Sequence, residues 1–161
     1  MKVVFLDVDG VLNASMRVNR GTKGFNLIDW VLPGPVAHVN RICRETGAKL
    51  VISSTWRQDK TVPELQQMFA EAGIMGDIID KTEVGPCIWH IQKGFDDCWQ
   101  DHRGAEIKEW LDRHPEVTSF VVLDDDSDMT EVKDRHVKTD LYRGLVRKQC
   151  DRAIELLNDV P

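Results

Sequence analysis

Two aspartates, Asp7 and Asp9, close an apolar run at the start of the chain, in the stretch FLDVDGVLN. A second acidic cluster, Asp124, Asp125, Asp126 and Asp128, closes another apolar run, SFVVL. Carboxylates so placed could attack an electrophile, carry a proton or hold a cation. At about 4 Å and an effective dielectric near 20, a like-charged pair costs roughly 4 kcal/mol, more than most single substitutions. A bare cluster would take up protons or force the chain open. A hard divalent cation relieves the repulsion, and an all-oxygen site with few protein ligands suits magnesium, which keeps waters and binds phosphate. Either stretch alone reads equally well as a turn or a solvated loop. Together, each at the end of an apolar strand, they point to one shared site.

The elements that must position these acids follow from the pattern. KVVFLDV is a short continuous apolar run, as expected of a strand covered on both faces. A loop-like stretch from Asn13 to Gly34 carries the cations Arg17, Arg20 and Lys23. Pro35 is predicted to start a helix, with Val36, Val39, Ile42 and Cys43 on one face and Gly47 as its stop. KLVISS reads as the second buried strand, Pro63 to Ala72 as a second helix, and DIID as a short third strand. Lys81 to His102 has no clear period and is expected to be an irregular excursion of about 20 residues, a length usually tied to function. A third helix runs from Gly104 towards Pro115, followed by the strand SFVVLD, a fifth strand in HVKTD and a final helix from Val146 to Leu157. Strands alternating with helices imply right-handed crossovers and an α/β fold, three layers around a central, mainly parallel sheet of Rossmann-like type. Sites in such sheets form outside the carboxyl ends of the strands, where both acidic clusters lie.

With 161 residues, 42% apolar and 30% charged, the chain suits a single domain spanning residues 1–161, with a core that needs no staples. Its four cysteines are scattered and expected to be reduced. No apolar run approaches the roughly 18 residues of a membrane span, and a cytoplasmic location is expected. The net charge of −6 argues against non-specific coating of nucleic acid, although not against a local basic site.

FLDVDGVLN resembles the first motif of the haloacid dehalogenase (HAD) superfamily. LVISS is similar to its second motif, a strand ending in Ser or Thr; Arg103 in HRGAEIKEWL matches the third, a cation at a helix start; and VVLDDDSD matches the fourth, a strand ending in paired acids. The four occur in the family's order and span Asp7 to Asp128. The resemblance implies a HAD-type fold and a phosphatase, because Asp9 supplies a proton donor that dehalogenation does not require. It implies that Asp7 is the nucleophile and Asp9 the general acid and base. Gly10 would turn the chain so that its amides face phosphoryl oxygens, Ser53 would hydrogen-bond one of those oxygens with Ser54 as its rival, and Arg103 would balance charge. Magnesium would be held by Asp7, the main-chain carbonyl of Asp9, and Asp124 or Asp125, with Asp128 orienting the water shell or a loop.

Superfamily members acting on small metabolites generally carry a cap domain. Here both gaps that could hold one have about 20 residues, short of the roughly 50 at which independent domains begin, so minimal or no cap is expected. An open site admits a polymer end, and Arg17, Arg20, Lys23 and Arg57 could clamp neighbouring phosphodiesters, although a solvated basic loop is an equal reading. FLDVDGVLN, SSTWR, RGAEIKEWL and VVLDD look like the compact HAD domains of nucleic-acid repair proteins and the phosphatase half of polynucleotide kinase-phosphatases. This implies removal of a terminal 3' phosphate. The chain has no GxxxxGK[ST] loop, so a kinase or ligase partner would be a separate protein. A nucleotidase or small-molecule phosphatase would use the same residues, and from another class a catalytically silent binding or regulatory module remains. A phosphoprotein phosphatase is disfavoured by Val11, where related phosphoserine phosphatases favour Thr. Cys87, His90, Cys98 and His102 have spacings that could ligate zinc, but filling space is the favoured reading. Trp89 and Trp99, in the same segment, read as core more than as base-stacking residues.

Overall fold

The computed structural model describes residues 1–14, 26–84 and 102–159. Five strands form one sheet in the order β3-β2-β1-β4-β5: β1 is Lys2–Leu6, β2 Lys49–Ile52, β3 Ile78–Lys81, β4 Ser119–Asp124 and β5 His136–Lys138. Every neighbouring pair of these strands is parallel. The helices are α1 (Pro33–Thr46), α2 (Val62–Glu71), α3 (His102–Asp112) and α4 (Arg147–Asn158), so the expected α/β arrangement is present.

Alternation along the strands divides the core in two. Val4 and Leu6 of β1, with Val121 and Leu123 of β4, pack in one cluster with α1, α2 and α4. Val3 and Phe5, with Val122, pack in the other with Ile107 and Trp110 of α3. Trp110 meets Phe5 edge to face, with ring centroids 5.3 Å apart, and its indole N–H donates to Asp80 Oδ2 at 2.7 Å. It is therefore structural.

The parity also places chemistry. Side chains two apart on a strand share a face, so Asp7 continues the Phe5 side and Asp124 the Val122 side. Both acids project towards α3, the helix whose first turn carries Arg103. β1 is central, with Leu6 aligned to Ile52 of β2 and to Leu123 of β4. Three strand ends therefore meet at one edge.

Element ends differ from the sequence expectation by a residue or two for identifiable reasons. In PGP the first proline, Pro33, opens α1, where its missing N–H costs nothing. α2 starts at Val62 because Thr61 and Glu64 form a reciprocal capping box. Short 3-10 turns at Leu27–Asp29, Thr55–Arg57 and Thr130–Arg135 were not expected. No helix among the described residues is long and apolar enough to cross a membrane.

Candidate active site

The first acidic motif is a tight turn built on β1. Asp7 N–H donates to Leu123 O and Ser53 N–H to Leu6 O, both at 3.1 Å, so Asp7 sits where the ends of β2 and β4 flank it. Val8 O then accepts from the amides of Val11, Leu12 and Asn13 at 3.2, 2.8 and 3.3 Å. Gly10 makes the turn possible twice over. Its φ is +71°, and a Cβ there would lie 2.3 Å from Asp125 Cγ.

Asp7 and Asp124 are buried, at 5% and 0% exposure, and share one cation. Arg103 Nη1 lies 2.8 Å from Asp7 Oδ1 and 2.9 Å from Asp124 Oδ2. One carboxylate oxygen from each of Asp7, Asp124 and Asp125 lies within 4.8 Å of the others. A single guanidinium does not neutralise three carboxylates. Burial, opposed by Arg103, by the Ser54 hydroxyl and by the Val8 amide, still pushes the Asp7 carboxyl above its usual range. Burial and then the Asp7 charge push Asp124 up to about 7, and the same two causes raise Asp125. Burial works against the Arg103 charge, but Asp7 and Asp124 more than offset it and raise its pKa. Three hard oxygen donors, crowded enough to retain protons, fit a magnesium ion.

Asp9 occupies different surroundings although it is only two residues from Asp7. It is exposed, and both its oxygens meet neutral donors: Asn13 Nδ2 at 2.7 Å and Trp56 Nε1 at 3.1 Å. Asn13 Oδ1 accepts the Gly10 amide at 2.9 Å. The expectation that this amide faces phosphoryl oxygens is thereby corrected, because Asn13 already holds it. The Asn13 contact was missed in the sequence, although it was readable as an amide three residues beyond a glycine turn. Trp56 follows the second motif closely enough to line the pocket, and its indole reaches Asp9.

Strand parity favours Ser53 as the hydroxyl beside Asp7, but the chain leaves β2 after Ile52 and enters a 3-10 turn. The Ser54 hydroxyl is among the groups that lower the Asp7 pKa, and it also accepts the Trp56 amide at 3.4 Å. Ser53 Oγ is buried and finds no partner among the described residues.

Arg57 is not a surface clamp. It is 3% exposed, and each of its five N–H groups has an acceptor. Nε donates to Thr82 O at 2.7 Å, Nη1 to Ser53 O and Ser54 O at 2.7 and 2.9 Å, and Nη2 to Glu83 O and Glu106 Oε2 at 3.4 and 2.6 Å. It ties the loop after β2 to the end of β3 and to α3, one turn from Arg103. The signal missed was that an Arg directly after a buried strand can be a brace for carbonyls.

Asp128 lies outside the acidic trio. It caps α3: Oδ2 accepts the Arg103 amide at 3.2 Å and its carbonyl accepts the Gly104 amide at 2.9 Å, satisfying donors that a helix start leaves free. Arg17, Arg20, Lys23, Cys87, His90 and Cys98, with Trp89 and Trp99, lie outside the described residues, as does the side chain of His102.

A family model for the HAD domain in Swiss Army Knife RNA repair proteins matches residues 3–150. The chain belongs to this family. No curated protein matches it. Domains of the HAD family are generally phosphatases or other hydrolases and generally use magnesium, and the three-aspartate cluster of this HAD domain is a place where such an ion could bind. Membership extends over β1 to the first turn of α4, so all the site residues described above fall within the matched stretch.

Proposed function

We infer that residues 1–161 act as one magnesium-dependent phosphomonoesterase domain that removes a terminal phosphate, of 3' type, from a nucleic acid. The observation that carries this reading is the pairing of a buried, cation-held Asp7 with an exposed Asp9 two residues on. The first lies against Arg103, with its carboxylate fixed towards the crevice. The second can exchange protons with a substrate and with water.

In this reading an Asp7 carboxylate oxygen attacks phosphorus in line. The bond from Asp7 oxygen to phosphorus forms as the bond to the departing sugar oxygen breaks, and Asp9 gives its proton to that oxygen. Asp9, now a carboxylate, takes a proton from water as the water oxygen attacks phosphorus and the bond to Asp7 breaks. Phosphate leaves, and Asp9 is protonated again for the next cycle. Ser54 and Arg103 keep the Asp7 carboxylate aimed. Magnesium would be held by Asp7, the main-chain carbonyl of Asp9, and Asp124 with Asp125, and when bound supplies positive charge to nucleophile and phosphoryl oxygens.

The polymer end is supported by the family's occurrence in RNA repair proteins and by gaps too short for a cap. The test is a phosphate-release panel of 3'- and 5'-phosphorylated RNA and DNA oligonucleotides, mononucleotides and sugar phosphates, with magnesium and with EDTA. Release from 3'-phosphorylated oligonucleotides that EDTA abolishes is expected. Preference for mononucleotides or sugar phosphates would replace the polymer-end reading with that of a small-molecule phosphatase, and release from nothing would leave a silent module.

A further inference from the structure

The catalytic turn has a neighbour that its chemistry does not use. After β5 the chain makes a turn, Asp140 to Gly144, closed by an antiparallel bridge between those two residues. It is fastened to the first acidic motif at several points. Thr139 Oγ1 donates to Gly10 O at 2.8 Å and Leu145 N–H to Val11 O at 2.8 Å. A Cβ on Gly144 would stand 2.8 Å from Asn13 O and 2.9 Å from Val11 O. Thr139 N–H also donates to Asp124 O at 2.9 Å. The turn therefore stands on the rim of the crevice and is fixed to both acidic motifs.

Its exposed side chains are of an unusual kind for this chain. Tyr142, the protein's one tyrosine, is 59% exposed, and Leu141 beside it is 41% exposed. Residues 138–148 carry Lys138, Arg143, Arg147 and Lys148 against Asp140 alone, in a protein of net charge −6. Asp140 does little to offset them outward, since its Oδ1 accepts the Tyr142 amide at 2.8 Å. Arg147 has only a loose contact with Asp151, at 3.8 Å, and Lys138 donates to the neutral Ser127 Oγ. Arg143 and Lys148 have no ion-pair partner among the described residues. An aromatic face flanked by uncompensated cations matches what a single-stranded nucleic acid offers, bases to stack and phosphates to neutralise.

We propose that the Asp140–Gly144 turn is the docking platform for the single strand that carries the terminal phosphate, with Tyr142 stacking on a base and Arg143, Lys138 and the start of α4 meeting the backbone. This deepens the phosphatase reading and rests on it for the position of the reacting end. Docking and chemistry are separable, because none of these side chains touches Asp7 or Asp9.

The experiment combines anisotropy of a fluorescent 3'-phosphorylated single-stranded oligonucleotide with steady-state kinetics on that oligonucleotide and on an aryl phosphate. Tyr142→Ala is expected to weaken oligonucleotide binding and raise its KM about tenfold, in line with the loss of one stacked base, with kcat and aryl phosphate turnover unchanged. Tyr142→Phe, which keeps the ring, should behave as wild type. Arg143→Ala should lower the salt dependence of binding by about 0.7 in log–log slope. The proposal is overturned if the Ala variants bind and process the oligonucleotide as wild type does, or if they lose aryl phosphate turnover in parallel, which would make the turn a support for the catalytic motif. If wild type hydrolyses neither substrate, the phosphatase reading fails, and the anisotropy series alone still decides docking.

Discussion

Asp7 and Asp9 belong to one four-residue motif and yet occupy opposite kinds of environment. Asp7 is buried, faces α3 and is held by a full positive charge from Arg103, which it shares with Asp124. Asp9 is exposed and held only by the neutral N–H groups of Asn13 and Trp56. The alternation of a strand continues into the turn that ends it, so a spacing of two and one glycine suffice to put one carboxyl group in the dry crevice and the other at its mouth. At Asp7 a charged partner opposes the burial that raises its pKa. At Asp9 the partners are neutral and the carboxyl group stays open to solvent.

The contrast is broken most completely at the two acids themselves. Asp7→Asn should lower phosphate release about a thousandfold or more, and no phosphoenzyme should be seen by intact mass. Asp9→Asn should lower turnover about a hundredfold or more, but with an aryl phosphate, whose leaving group needs little protonation, the mass of a phosphorylated Asp7 should appear and persist. If both variants fail to phosphorylate, the division of roles is wrong.

A second break removes the brace on the Asp7 side. Arg57→Ala removes the donor to the Ser53, Ser54 and Thr82 carbonyls and the ion pair with Glu106, and should cost about 3–5 kcal/mol in denaturant unfolding. Loss of less than about 1 kcal/mol would show that the brace is not important to the fold.

The charge crowding behind Asp7 gives a smaller effect that depends on pH. Asp124 is held protonated up to about 7 in the folded protein, above the usual 3.8, so the folded state binds a proton that the unfolded chain releases. That contribution to stability is complete below about pH 4 and is lost as pH rises through about 7. In EDTA, therefore, the denaturant midpoint of wild type should fall relative to that of Asp124→Asn between pH 4 and 7, and magnesium should remove the difference. His136, whose pKa burial lowers, contributes with the opposite sign in both proteins and cancels from the comparison.

The mildest test sharpens the Asp9 side. Trp56→Phe keeps the ring and deletes one neutral hydrogen bond, so stability should change by less than about 1.5 kcal/mol while kcat falls about threefold to tenfold. The pH profile of kcat should shift, which a merely structural role for Trp56 would not produce.

Much of this was readable from the sequence because the information is local. A buried strand shows itself as an apolar run, and its last residue falls at the edge where sites form; β1, β2 and β4 and the acids ending them follow from that alone. Arg103 was readable because HRGAEIKEWL resembles the third HAD motif, a cation at a helix start before that strand. What was not readable depends on how segments meet. Arg57 looks in sequence like any loop cation, and only the approach of the β3 end and α3 buries it. Ser53 and Ser54 are the same residue type in adjacent positions, and the 3-10 turn after β2 gives their hydroxyls different surroundings. Asp128 differs from Asp125 only by three positions, but that shift moves it from the trio to the start of α3.

The central place of β1 in the sheet also sets a timetable. Asp124 and β4, which complete the surroundings of Asp7, are made about 120 residues after it. At synthesis rates of about 5–20 residues per second that interval is on the order of ten seconds. Through it β1 lacks half of its hydrogen-bonding partners, and no order of early folding can assemble the acid trio on the nascent chain. The acid trio and the last parallel strand pairings arrive together.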